Sequence, residues 1–182
     1  MKKILIGAII GGILIFLWQM LSWTMLQLHY SGTQYTPKQD TVMAFLNTQL
    51  NEDGQYFMPS HPKDASAEVR EAARQNAMGK PWAMVTYHKK MDMNMGMSIT
   101  RALISDMIMV ILLCWMLSKM TSPSMGTVFA SSLFTGMIAF INGAYTMHIW
   151  FGSFDLMANL TDTVVSWGLC GLWLGWWWSR KK

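Results

Sequence analysis

Apolar residues in this chain occur in long uncharged runs, and the first run extends from Ile4 to Leu28. A helix of that length measures about 37 Å, which exceeds the roughly 30 Å of a bilayer's hydrocarbon core. A secretory signal would have a shorter apolar region followed by a cleavage site of the A-x-A type, and no such triplet follows here. The pattern therefore predicts a permanent transmembrane helix over residues 4–28.

Three further apolar runs lie in the second half of the chain. They predict transmembrane helices over residues 99–118, 125–146 and 156–178, with a short loop at Tyr145 to Asp155 before the last of them. Only 13% of the residues are charged, whereas a typical soluble domain has about 25%. We therefore expect an α-helical integral membrane protein with four transmembrane helices.

A polar segment, residues 29–98, separates the first predicted span from the second. Its pattern predicts helices over residues 41–50 and 64–78 and short strands over 56–58 and 81–88. Two helices and two strands enclose little core. We therefore expect a small α+β extracytoplasmic domain that packs on the membrane helices or on a partner chain.

Basic residues near the predicted spans indicate the orientation in the membrane. The loop between the third and fourth spans contains no Lys or Arg, whereas the opposite ends of the spans carry Lys2, Lys3, Lys119, Arg180, Lys181 and Lys182. Because short cytoplasmic loops are enriched in Lys and Arg, we expect both termini in the cytoplasm and residues 29–98 outside a bacterial cytoplasmic (inner) membrane. The basic residues then serve orientation, so we expect no nucleic-acid partner.

Small residues recur at a spacing of four in the predicted spans. Gly7 and Gly11 form such a pair in the first span, Gly136 lies in the third, and Gly171 and Gly175 form a GxxxG in the fourth. This spacing lets helix backbones approach closely in lipid, although glycine is also simply common in membrane helices. We expect these glycines at helix–helix contacts.

Methionines alternate just before the second span, at Met91, Met93, Met95 and Met97. Thioether sulfur is a soft ligand that suits Cu(I), and His88 would add an imidazole. The whole chain is rich in methionine, and Met also packs adaptably at membrane surfaces. A copper site and interfacial packing are the two interpretations of this cluster.

Polar side chains form a layer near the outer ends of the predicted spans. Helix geometry places Gln19, Ser22, Asp106, Asn142 and Asp162 within roughly 10 Å of the outer boundary. Ionisable groups at membrane depth are costly and usually face a bundle interior or water. The layer therefore indicates either an outward-facing pocket built on the two aspartates or ordinary interhelical hydrogen bonding.

Catalytic and zinc motifs do not stand out in this sequence. His29, His61 and His148 lack the spacing of a zinc site, and we expect them to be interfacial or solvated. Cys114 and Cys170 lie inside apolar runs, where cysteine behaves as a small hydrophobe. A function other than catalysis is therefore the favoured expectation.

Three short runs carry a resemblance to known proteins: FLWQMLSW at residues 16–23, YFMP at 56–59 and GKPWAMV at 79–85. In these runs the chain resembles a group of small bacterial inner-membrane proteins that have no assigned function. The resemblance implies a bacterial four-helix membrane protein and implies no activity.

Three functions are compatible with these patterns. The favoured one is an accessory or scaffolding membrane protein that presents its external domain to a protein partner or to a second copy of itself. The alternatives are copper handling through the methionine cluster and binding of a small molecule or lipid beneath Asp106 and Asp162.

Overall fold

The computed structural model describes residues 1–180 of the chain, which is mostly helical and divides into two units. The first unit comprises residues 1–34 together with the chain from residue 93 onward, and the second comprises residues 35–92. Two of the basic residues used to assign orientation, Lys181 and Lys182, lie outside the described residues.

The helices and strands follow one another as α1 (Lys2–Thr24), α2 (Gln39–Gln49), β1 (Gly54–Met58), α3 (Ala67–Ala77), β2 (Ala83–Tyr87), α4 (Met95–Leu117), α5 (Met125–Phe140), α6 (Thr146–Phe151) and α7 (Leu156–Ser179). A short 3-10 helix, Leu28–Gly32, follows α1, and a π-helical turn, Ile141–Tyr145, joins α5 to α6.

Antiparallel packing of α1 on α7 is central to the first unit. Gly7 lies against Leu174 near one end of this pair, and Trp18 hydrogen-bonds to Asp162 near the other. α4 packs on α1, and α5 packs on α7, so the principal contacts run in the order α4, α1, α7, α5. Large apolar side chains and both free cysteines fill the centre of this bundle, among them Ile15, Val110, Leu113, Cys114, Leu117, Cys170 and Leu174.

Three helical stretches are long and apolar enough to cross a membrane: Lys2–Thr24, Met95–Leu117 and Met125–Phe151. The sequence predicted four spans, and α7 is not among the three. α7 has the required length, but its first half carries Asn159 and Asp162, and tryptophans replace aliphatic residues toward its end. These residues lower its mean hydropathy, because neither amides, carboxylates nor tryptophans score as strongly apolar.

The third apolar stretch continues further than the sequence predicted. We expected a helix ending at residue 146 and a loop from Tyr145, whereas α5, the π-helical turn and α6 continue to Phe151. No proline or glycine that would break the helix lies between Tyr145 and Phe151. Gly152 ends it, with a φ of 60° in the left-handed region that glycine adopts readily.

Glycine permits the closest helix contacts in the first unit. A Cβ on Gly12 would lie 2.8 Å from the Met107 Cα, so the backbones of α1 and α4 touch there. The glycines singled out in the sequence also lie at contacts: Gly7 against Leu174, Gly11 against Val110 and Cys170, Gly136 against Trp167, Gly171 against Ser132, and Gly175 against Met125.

The second unit contains the small two-strand sheet expected from the sequence. β1 and β2 are antiparallel, with Tyr56 opposite Val85. The Tyr87 hydroxyl donates to Asn47 Oδ1 at 2.8 Å, which ties β2 to α2. The backbone N–H of Lys89 donates to Asp53 Oδ1 at 2.9 Å, and this hydrogen bond lowers the pKa of the Asp53 carboxyl.

Apolar side chains of the second unit remain largely uncovered within it. Throughout residues 35–92, all of which the structure describes, Tyr87 is the only buried residue. Val42, Met43 and Phe45 of α2 are each about half exposed or more. The unit therefore has very little core of its own.

The contact between Gly12 and Met107 yields a stability prediction. Gly12→Ala will lower the free energy of unfolding by roughly 1–3 kcal/mol, because a methyl group cannot be accommodated against backbone atoms without shifting α4. Thermal unfolding of the purified protein in mild detergent measures the change.

Gly168→Ala is the matched control, because a Cβ there meets only Leu133 Cδ2 at 4.0 Å, an ordinary contact. It should leave the melting temperature unchanged or slightly raised. Equal melting temperatures for the Gly12→Ala protein and the wild type would contradict the close contact of α1 with α4.

Candidate functional site

His29 lies buried between two aspartates: Asp162 belongs to α7, and Asp155 immediately precedes that helix. Its Nδ1 is 3.2 Å from Asp155 Oδ2, and its Nε2 is 2.9 Å from Asp162 Oδ2. The imidazole is only 3% exposed, whereas the carboxylates of Asp155 and Asp162 are 24% and 14% exposed. We call these three residues the Asp–His–Asp array.

The chain after α1 brings His29 into this position. Gln27 adopts a left-handed conformation with φ 50°, which is uncommon for a residue other than glycine and turns the chain into the 3-10 helix. The Ser31 hydroxyl then donates to the Phe154 carbonyl at 3.0 Å, and a Cβ on Gly32 would lie 3.1 Å from Asp155. The 3-10 helix is thereby held closely against the start of α7.

Two tryptophans of α1 complete the surroundings of the array. The Trp23 ring stacks on His29 with centroids 4.0 Å apart and planes 6° from parallel. Trp18 Nε1 donates to Asp162 Oδ1 at 3.0 Å. Both oxygens of the Asp162 carboxylate are therefore engaged, and the imidazole is covered on one face.

A second buried carboxylate lies between α1 and α4. Gln19 Nε2 donates a long hydrogen bond of 3.4 Å to Asp106 Oδ1, and Asp106 is 3% exposed. Among the residues described, none hydrogen-bonds to Asp106 Oδ2 or to the fully buried Ser22 hydroxyl. Such unsatisfied groups are costly in an apolar bundle and often mark functional sites.

A cavity of about 670 Å³ opens between α4 and α7, with α1 as its floor. Its polar groups come from Thr24, Gln19, Ser98, Asn159, Asp162, Thr163 and Ser166, and its apolar groups from Phe16, Met20, Trp23, Met95, Ile99, Ala102 and Trp167. We call this cavity the groove. Asp162 therefore lines the groove and is also a member of the Asp–His–Asp array.

The polar layer predicted from the sequence is only partly brought together. Gln19 and Asp162 line the groove, and Asp106 adjoins it through its hydrogen bond to Gln19. Ser22 is buried and is not part of the groove lining. Asn142 is exposed on the π-helical turn and does not line the groove.

The four side chains of the methionine cluster are more than half exposed. Met91 is 88% exposed and Met97 is 56% exposed, with Met93 and Met95 between these values. His88 Nδ1 lies 3.6 Å from Asp53 Oδ2. Copper binding by this cluster stays a prediction.

His29 and Asp155 are the functional candidates that the sequence did not single out. We expected His29 to be interfacial or solvated, yet it is buried. Both residues flank predicted spans, which was the available signal: His29 follows the first apolar run and Asp155 precedes the fourth. The missing information was that these two runs are neighbours in the bundle.

A metal centre is not indicated by the geometry of the array. The described part of the chain contains no group of three or more His, Cys, Asp or Glu side chains placed to hold a metal ion. In the array, the two carboxylates face opposite nitrogens of one imidazole, so they do not converge on a common point. The arrangement instead suits holding and moving protons.

No protein-family model, curated protein or solved structure matches this chain. The function is therefore inferred from its own residues.

The buried position of His29 yields a second prediction. His29→Leu will lower the free energy of unfolding by roughly 3 kcal/mol, because Asp155 and Asp162 lose their shared partner in a largely desolvated position. Thermal unfolding in detergent measures the loss.

His61→Leu is the control, since His61 is exposed in the second unit and bonds only to the adjacent Pro62 carbonyl. It should unfold at the wild-type temperature. An equal and small effect of both substitutions would show that the array contributes little to folding.

Proposed function

We propose that this chain is a four-span membrane protein whose outer groove binds an amphiphilic small molecule of the lipid class. Three helices with the length and hydropathy of membrane spans support the membrane assignment. α7 is proposed as the fourth span because it packs between α1 and α5. Its polar residues Asn159, Asp162 and Thr163 line the groove, so they have polar surroundings even in a bilayer.

The proposed orientation places both termini in the cytoplasm and residues 29–98 outside a bacterial inner membrane. Lys3 Nζ donates to the Trp178 carbonyl at 3.0 Å, so the start of α1 meets the end of α7. Lys119 follows α4, which packs antiparallel to α1, so it belongs to the same end of the bundle. Clustering of basic residues at one end supports the positive-inside assignment.

The size and the lining of the groove support the proposal that it binds an amphiphile. Its volume of about 670 Å³ lies within the roughly 300–1,000 Å³ typical of small-molecule sites. From Thr24 to Phe16 it follows α1 for eight residues, which is about 12 Å along the helix. Its lining combines apolar side chains such as Phe16 and Trp167 with polar ones such as Ser98 and Asn159. This mixture suits a molecule with an apolar chain and a polar head.

Filling the groove tests this function. Ala102→Phe places a large ring in the groove lining, and we expect at least a tenfold loss of affinity for an alkyl-chain probe, because the ring occupies the probe's volume. Binding is measured by fluorescence or calorimetry with the protein in nanodiscs, and co-purified lipids are identified by native mass spectrometry.

Ala139→Phe is the matched control, because Ala139 is an exposed alanine of α5 outside the groove. It should bind the probe as the wild type does. Identical binding by all three proteins would overturn amphiphile binding in the groove.

A second candidate function is an accessory role in which residues 35–92 engage a protein partner. The observation that favours it is the uncovered apolar surface of α2, where Val42, Met43 and Phe45 are exposed beside a two-stranded sheet. Such a surface is more typical of an interaction site than of an isolated domain.

Introducing a positive charge into this surface provides the test. Phe45→Lys should remove a specific partner, or a second copy of the chain, from the complex that is purified after mild extraction. Gln49→Lys adds the same charge at an exposed polar position of α2 and should leave the complex intact. A complex unaffected by both changes would exclude α2 as the contact.

A further inference from the structure

Two hydrogen bonds in the Asp–His–Asp array require one more proton than its fully deprotonated form holds. Each of the two contacts of His29, at 3.2 Å to Asp155 and 2.9 Å to Asp162, needs one hydrogen between its heavy atoms. Two ionised carboxylates accept only, and a neutral imidazole donates from one nitrogen. The second hydrogen bond therefore requires an additional proton, which makes the ring an imidazolium or one carboxylate an acid. In either form the array carries a net charge of minus one.

The groups that face His29 identify what controls this proton. The 3-10 helix that carries His29 packs against α1 and α7. The α7 side presents Asp155 and Asp162, and α1 presents the rings of Trp18 and Trp23, which do not titrate. The next carboxylate is Asp106 of α4, bound to Gln19. Within residues 1–180, no Lys or Arg side chain is paired with the array.

One residue of the Asp–His–Asp array also lines the groove. Asp162 lines the groove, and the lining contains no Lys or Arg. The buried carboxyl group of Asp106 lies behind Gln19. A cationic headgroup entering the groove would therefore be attracted, whereas an anionic headgroup would meet uncompensated negative charge.

We propose that the groove selects a cationic amphiphile and that its binding releases the additional proton of the Asp–His–Asp array. The proposal rests on the amphiphile binding proposed above and specifies the headgroup and its linkage to protons. The cation and the additional proton both neutralise the same pair of carboxylates. Binding of either one therefore lowers the affinity of the protein for the other. Linkage is reciprocal, so lower pH weakens cation binding by the same interaction through which the cation expels the proton.

This competition determines the direction and the upper limit of the pH dependence of cation binding. Affinity for the cation should rise with pH, by at most about tenfold per pH unit when one proton is exchanged. A neutral amphiphile of the same chain length leaves the charge of the array unchanged, so its affinity should not depend on pH.

Calorimetry on the wild-type protein in nanodiscs tests the proposal directly. Dodecyltrimethylammonium, whose charge is permanent, is titrated in two buffers that differ in ionisation enthalpy, and dodecanol is the neutral comparison. The difference in heat between the buffers gives the number of protons released. We expect a substantial fraction of one proton for the cation, none for dodecanol and at least tenfold tighter binding of the cation.

The Asp155→Asn variant tests proton release separately from ligand binding in the groove. Asp155 does not line the groove, and an asparagine amide can donate to His29 Nδ1, so a neutral imidazole satisfies both contacts without the additional proton. Cation binding should then persist with proton release reduced to near zero. If this variant does not fold, the wild-type measurement still decides.

The outcomes distinguish this proposal from the function on which it rests. Equal binding of both probes, or cation binding without proton release by the wild type, would overturn the proposal and leave a groove for amphiphiles. Binding of neither probe, or binding that Ala102→Phe does not weaken, would overturn the proposed function itself. Unchanged proton release in Asp155→Asn would show that the proton comes from elsewhere and would also overturn the proposal.

Discussion

The close antiparallel contact of α1 with α7 positions the functional groups of the first unit. Glycines allow it along the first half of α1, where a Cβ on Gly7 would lie 3.1 Å from Leu174 and one on Gly11 3.0 Å from Cys170. Because the helices stay adjacent over their whole length, the end of α1 must meet the start of α7. This brings Trp18 to Asp162 and, one turn beyond α1, His29 to Asp155. Small residues at one end of a helix pair thus determine which polar groups meet at the other.

Buried charge is the second constraint on this unit. A carboxylate removed from water must gain a proton, a cation or several hydrogen bonds. Asp162 has two such partners, Trp18 and His29, whereas Asp106 has only the long bond from Gln19. The groove lies beside both carboxylates. The proposed selection of a cation rests on Asp162, the one residue of the Asp–His–Asp array that lines the groove.

The two units differ in how their apolar residues are covered. The first unit has a buried core of aliphatic residues and cysteines, and its exposed outer residues, such as Leu5, Ile9 and Leu112, suit a lipid environment. The second unit buries only Tyr87 among residues 35–92 and exposes apolar side chains on α2. An inserted segment with so little core is suited to presenting a surface rather than to forming a rigid site. The two proposed functions, ligand binding and partner binding, therefore concern different parts of the chain.

The sequence alone determined the features that depend on local pattern. Uncharged runs such as Ile4 to Leu28 predicted long apolar helices, and short runs rich in β-branched and aromatic residues predicted the small sheet, because both follow from residues near one another in the chain. The lower hydropathy of α7 and the continuation of the helix after Met125 to Phe151 also follow from composition and from the position of Gly152, but the pattern of apolar runs did not predict them. Asp106 and Asp162 were identified as costly groups, but their partners were not. Only the tertiary structure decided that Asp162 meets His29 and that Asn142 lies apart, because the choice of neighbouring helix depends on packing between residues more than one hundred positions apart.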